Sequence, residues 1–200
     1  MKTFLRRSGS LSPLLLALFA ALFPSFAHAH VGVGHTSGLM HGFAHAVSGL
    51  DHICAMLAVG LWAAQRGGRS VWLVPLTFVS VMAVGGFLGM AGVSIPFVEE
   101  GIVLSVLVLG VLVAASAQLP LAASVVIVGL FAIFHGHAHG AEMPVTASGF
   151  AYGAGFLMAT ASLHATGIFI ASLVSRMGQV RLVRFAGGAI ALCGVCLCFA

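Results

Sequence analysis

Read from its N-terminus, the chain is a succession of long apolar runs divided by short breaks. The runs fall at roughly 41–65, 71–91, 98–117, 121–139, 147–172 and 181–199. Each is long enough for a helix through the hydrocarbon core of a bilayer, which takes about 20 residues. The breaks are Arg66-Gly67-Gly68-Arg69, the turn from Gly92 to Pro96, Gln118-Leu119-Pro120, Gly140 to Pro144, and Arg176 to Arg181. Glycine and proline mark most of them, as expected where a helix must stop. The first apolar stretch, Leu11 to Phe23, is different. It follows Lys2, Arg6 and Arg7, is closed by Pro24, and leads to Ala27-His28-Ala29, a small-x-small cleavage pattern. It is too short to span a bilayer and reads as a secretory signal peptide. The expected organisation is a signal peptide at 1–29 and a single transmembrane domain at 30–200. The fold class is all-α and polytopic, with about six transmembrane helices.

Composition agrees and narrows the class. The chain is 60% hydrophobic and only 6% charged, with a mean hydropathy of +1.16, which excludes an ordinary soluble domain. The 26 glycines suit close helix approach in lipid. The net charge of +4 comes from scattered residues at segment ends and forms no nucleic-acid patch. With the mature N-terminus outside the cytoplasm, the inward-facing breaks hold Arg66, Arg69, Arg176 and Arg181, with Arg184 just beyond. The outward-facing breaks hold Glu99, Glu100 and Glu142 and no Lys or Arg. This distribution follows the positive-inside rule and places both mature termini outside, in a cytoplasmic (inner) membrane.

Against this background the ionisable residues inside apolar runs stand out. His41, His45, Asp51 and His52 share the first run, His135, His137, His139 and Glu142 close the fourth, and His164 lies within the fifth. Such groups are costly in lipid and are kept where they act. At 100° per residue, a continuous first helix aligns His41, His45, His52 and Met56 in one stripe with Asp51 beside it. Imidazoles ending in a thioether suit a borderline or soft divalent cation. Asp51 has three roles open to it: taking a proton from an imidazole, orienting one, or binding metal directly. His135 and His139 share a face of the fourth helix, joined by Glu142 if that helix continues, whereas His137 points the other way. The first, fourth and fifth helices are therefore expected to converge on an outward-opening polar cleft.

The remaining candidates are weaker by chemistry. Met56, for all its place in the stripe, suits packing as Met82, Met90 and Met158 do, and Cys54, Cys193, Cys196 and Cys198 lack a second spaced pair that would signal a zinc ribbon. Cleavage after Ala29 would expose His30 as an amino-terminal chelator. Cleavage after Ala27 would leave His28-Ala29-His30, a nitrogen set suited to square-planar Ni²⁺ or Cu²⁺.

Two motifs then carry a family resemblance. The run His41-Gly42-Phe43-Ala44-His45-Ala46-Val47-Ser48-Gly49-Leu50-Asp51-His52, continued by Ile53 to Ala63, resembles the signature helix of HupE/UreJ proteins. The second signature of that family, F-H-G-x-A-H-G-x-E, is matched by Phe134-His135-Gly136-His137-Ala138-His139-Gly140-Ala141-Glu142. The resemblance covers the whole mature chain. It implies a nickel or cobalt permease in which His45, Asp51, His52, His135, His139 and Glu142 form the metal path. One departure is Ala46, where the family commonly has a proline that kinks the helix, so the local geometry is expected to differ.

The combined expectation is a secondary permease, not an enzyme, importing Ni²⁺ or Co²⁺ to supply metalloenzyme maturation such as that of hydrogenase or urease. Its partners are the divalent ion and the lipid bilayer. No cofactor is held permanently, and no nucleotide-binding loop or ATPase subunit is evident. Two other classes compete: a membrane di-iron oxygenase built on histidine boxes, and a metal-binding chaperone or sensor subunit. The oxygenase would need about eight ligands with adjacent histidine pairs, and no His-His pair occurs.

Overall fold

The computed structural model describes residues 38–143 and 148–199, and every regular element in them is a helix. The expected signal peptide and the tail histidines His28, His30 and His35 lie outside the described residues. In chain order the helices are α1 (Gly38–Ala46), α2 (Leu50–Arg66), α3 (Ser70–Met90), α4 (Val98–Ala115), α5 (Leu121–Ala141), α6 (Gly149–Arg176) and α7 (Val180–Leu197). Helices α3 to α7 are each long and apolar enough to cross a membrane, and α1 with α2 supplies a sixth span if the pair counts as one. The chain is a multi-pass membrane protein. Phe87, Phe150, Phe169 and Phe185 point outward, as lipid-facing residues do.

The first apolar run departs from expectation. It is not one helix but two, bent by 79° across Val47–Gly49. The reason is local. Ser48 directs both its hydroxyl and its amide at the His45 carbonyl, at 2.7 and 3.1 Å, which competes with the helical ladder and closes α1. Gly49 is extended (φ −86°, ψ 124°), and the helix restarts at Leu50. Asp51 then sits in the first turn of α2, where its charge offsets the helix dipole, and Oδ1 accepts the His52 N–H at 2.7 Å. The bend is thus made without a proline. The single stripe expected of His41, His45, His52 and Met56 is split, two residues on each helix.

Between helices the backbones meet at glycines. A Cβ on Gly42 or Gly155 would strike the facing backbone of α6 or α1, and one on Gly60 or Gly167 that of α6 or α2. Gly85 and Gly89 of α3 mesh in the same way with Gly136 and Gly140 of α5, and Gly110 of α4 with Gly187 and Gly194 of α7. In lipid, where apolar surface gives helices no reason to associate, this close backbone contact is what holds them. Helix α2 is central, packed on α3, α4, α6 and α7, with Ala55, Met56, Ala58, Val59, Trp62 and Ala63 fully buried. Its far end is fixed by polar contacts. Trp62 Nε1 donates to the Ala117 carbonyl at 2.9 Å, and Gln65 Nε2 to Val113 O and Ser116 Oγ at 3.1 Å each.

Candidate metal-binding site

The bend aims the histidines of α1 and of the start of α2 at the end of α5, and the side chains of all three helices meet. Two groups result, each with ligand atoms within 4.8 Å of one another. The outer group is His45, His139 and Glu142, and the inner is His52, His135 and His139. His139 belongs to both, so five side chains form one continuous set of donors. It grades from exposed to buried. Glu142 is exposed and His45 half-buried, whereas His52 and His135 have no exposed surface.

The outer group is closely packed. His45 Nε2 lies 2.9 Å from His139 Nδ1 and 3.1 Å from Glu142 Oε2. Glu142 Oε2 is also 3.6 Å from His139 Nδ1, across one turn at the end of α5. The helix continues to Ala141, far enough to place that carboxylate on the histidine face.

In the inner group hydroxyls decide which ring nitrogens are free. Ser105 Oγ donates its only proton to the Ile102 carbonyl at 2.6 Å, so at 2.8 Å it accepts from His135 Nε2–H. Thr160 Oγ1 is 3.8 Å from Met82 Sδ and 3.1 Å from His52 Nε2, so by donating to the sulfur it can accept from that ring nitrogen in the same way. Both rings then carry a lone pair on Nδ1, and both Nδ1 atoms are buried without a hydrogen-bond partner among the described residues. A neutral imidazole whose other nitrogen is anchored is the form that ligates a transition metal. Aromatic rings wall the group. Phe156 lies 4.9 Å from His52 and 4.4 Å from His139, and Phe78 lies 5.8 Å from His135.

The other sequence candidates fall elsewhere. Asp51 belongs to neither group, and its Oδ1 accepts the amide of His52. Met56 is fully buried one turn past His52 in the core of α2. His41 is exposed on α1, one turn before His45. His137 faces away from the histidine groups, its Nε2 donating to the Val93 carbonyl at 2.6 Å. His164 is buried on α6 with its ring against Phe78, outside both groups. Cys54 and Cys193 approach to 3.9 Å between α2 and α7, and all four cysteines are free.

Ser105, Thr160, Tyr152 and Phe156 were not singled out from sequence. A signal for part of this was present. His41-Gly42-Phe43-Ala44-His45 and His135-Gly136-His137-Ala138-His139 are the same pentad, H-G-x-A-H. The structure uses both alike. Gly42 crosses at the Tyr152 carbonyl and Gly155 at Leu39, just as Gly136 crosses at the Met82 carbonyl and Gly85 at Ile133. Tyr152 and Met82 are thus equivalent positions beside the two histidine pairs.

Comparison with known proteins agrees with the motifs. A family described as HupE / UreJ protein matches residues 16–197. Protein HupE of Rhizobium leguminosarum bv. viciae is 50% identical over 187 residues, covering 93% of this chain and 97% of that protein. No solved structure matches the chain.

Proposed function

We propose that this chain, which belongs to the HupE/UreJ family, is a secondary permease for a divalent transition-metal ion, Ni²⁺ or Co²⁺. One observation carries the reading: two donor groups share His139 and run from an exposed carboxylate to buried imidazoles whose anchored rings leave Nδ1 free. The outer group captures a partly hydrated ion. Glu142 compensates its charge, and the ion takes the place of the hydrogen bonding among His45, His139 and Glu142. The ion then exchanges Glu142 and His45 for His52 and His135 while His139 holds on, so it is never without nitrogen ligands. Nitrogen donors favour the later first-row metals over Mg²⁺ and Ca²⁺, which take oxygen ligands. Asp51 compensates charge from the start of α2 rather than as a member of either group.

The ion moves inward across the cytoplasmic membrane, with both mature termini outside, and supplies maturation of a nickel enzyme such as hydrogenase or urease. The membrane potential supplies about 4.6 kcal/mol per divalent ion at 100 mV. The test is uptake of radioactive nickel into proteoliposomes holding the purified protein, with cobalt, zinc, magnesium and calcium as competitors. Saturable nickel uptake, blocked by cobalt and indifferent to magnesium, is expected. Binding without uptake would make the chain a metal-holding subunit instead.

A further inference from the structure

His164 is the least explained side chain in the molecule. It is almost wholly buried, and neither Nδ1 nor Nε2 has a hydrogen-bond partner among the described residues. A neutral imidazole has one donor and one acceptor, and burying both unmet is disfavoured unless something else meets them. Its place in the fold says what that is. Phe78 neighbours both it and the inner histidine group, 5.4 Å from the His164 ring and 5.8 Å from His135. The His164 backbone carbonyl is the seat of Gly60 at the α2–α6 crossing, which fixes where its backbone sits.

Further along the same two helices is a cavity of about 420 Å³. Its walls include Gln65, Ser116, Ser172, Ser175 and Arg176. Gln65 Oε1 is buried without a hydrogen-bond partner among the described residues, while Gln65 Nε2 donates to Val113 O and Ser116 Oγ. Ser175 is eleven residues beyond His164, about 16 Å at 1.5 Å per helical residue. Between them α2 and α6 meet through Val59, Gly60, Ala63, Gly167 and Ala171, which are buried and carry no side-chain donor.

We propose that His164 is the inner transfer ligand of this route, taking the ion from His52, His135 and His139 and releasing it toward the Gln65 cavity. This rests on the permease reading above. One imidazole holds a divalent ion weakly, which is what release requires: a conducting path needs several sites, each tight enough to receive and weak enough to let go. The apolar crossing at Gly60 and Gly167 closes the route below His164 in this conformation.

The experiment compares the full-length protein with its His164→Leu and Gln65→Leu variants. It measures nickel uptake in proteoliposomes, nickel binding in detergent by equilibrium dialysis, and the melting temperature. His164→Leu is expected to lower the maximal uptake rate at least tenfold. Binding at the three-histidine group should persist and the melting temperature hold or rise, since two unmet polar atoms are removed. Gln65→Leu should lower the rate by a smaller factor with binding intact. Normal uptake in His164→Leu overturns the inference while leaving the permease reading in place. Loss of binding together with uptake makes His164 part of the outer machinery, and a collapse in melting temperature makes it structural; both overturn it. Wild-type protein that binds nickel but never accumulates it overturns both readings.

Discussion

A histidine is a useful ligand only when the right nitrogen is free, and here two hydroxyls decide that. Ser105 passes its own proton to Ile102 O and Thr160 can pass its own to Met82 Sδ, and so they hold His135 and His52 by Nε2. Groups behind a ligand typically contribute 10- to 100-fold in metal affinity. Ser105→Ala and Thr160→Val should therefore each weaken nickel binding by about 10- to 100-fold, although neither residue touches the ion. Calorimetric titration of purified protein checks this, and unchanged affinity would remove the anchoring role. His45 and His139 separate more sharply. His139→Ala breaks both groups and should abolish uptake at any nickel concentration. His45→Ala breaks the outer group alone and should raise KM with little loss of maximal rate. Initial-rate measurements across nickel concentration distinguish the two. The histidines themselves were visible in the sequence, because an ionisable group in an apolar run is conspicuous. Their anchors were not. Ser105 is 30 residues from His135, and Thr160 is 108 from His52, and nothing local distinguishes either from other small polar residues in a membrane helix.

At the scale of helices, the positions that matter are those where a backbone has no room to yield. Gly136 crosses at the Met82 carbonyl, so Gly136→Ala forces α3 and α5 apart and should destabilise by about 1–3 kcal/mol. Gly188 has open space around its missing Cβ, so Gly188→Ala should be neutral or stabilising, by up to about 1 kcal/mol through helix propensity. Thermal unfolding in one detergent, followed by circular dichroism, compares the pair. Equal effects would mean that crossing contacts do not govern stability here. Five of the six spans were legible from apolar length alone, because lipid demands a complete helix and leaves few alternatives. The break at Val47–Gly49 was not. Valine, serine and glycine are all tolerated within membrane helices, and only the Ser48 contacts with the His45 carbonyl and the extended Gly49 turn the chain. That one bend changes the site. Without it His45 and His52 would lie on one continuous face; with it they meet His139 from two directions, one in each group.

For the whole molecule, the donors are concentrated around one region. Between it and the Gln65 cavity the described buried contacts of α2 and α6 lack polar side chains apart from His164 and the indole of Trp62, which donates to the Ala117 carbonyl. Such an arrangement passes an ion only by changing shape, and the charge that moves is that of the ion itself. The carboxylates near the route, Glu142 at its exposed end and Asp51 at the start of α2, are fixed in the chain and do not travel with the ion, so each ion carries both of its charges across. Translocation should therefore respond to voltage as a divalent charge does. With no coupled ion, the accumulation ratio at equilibrium rises tenfold for roughly every 30 mV of inside-negative potential. Proteoliposomes loaded with potassium and treated with valinomycin set that potential through the potassium gradient. The slope of log accumulation against voltage then reads the charge carried per ion. A slope half as steep would mean that one positive charge leaves for each nickel that enters, the signature of proton antiport through the histidines. No dependence on voltage would mean that both charges are exchanged, and would end the account of uptake driven by membrane potential.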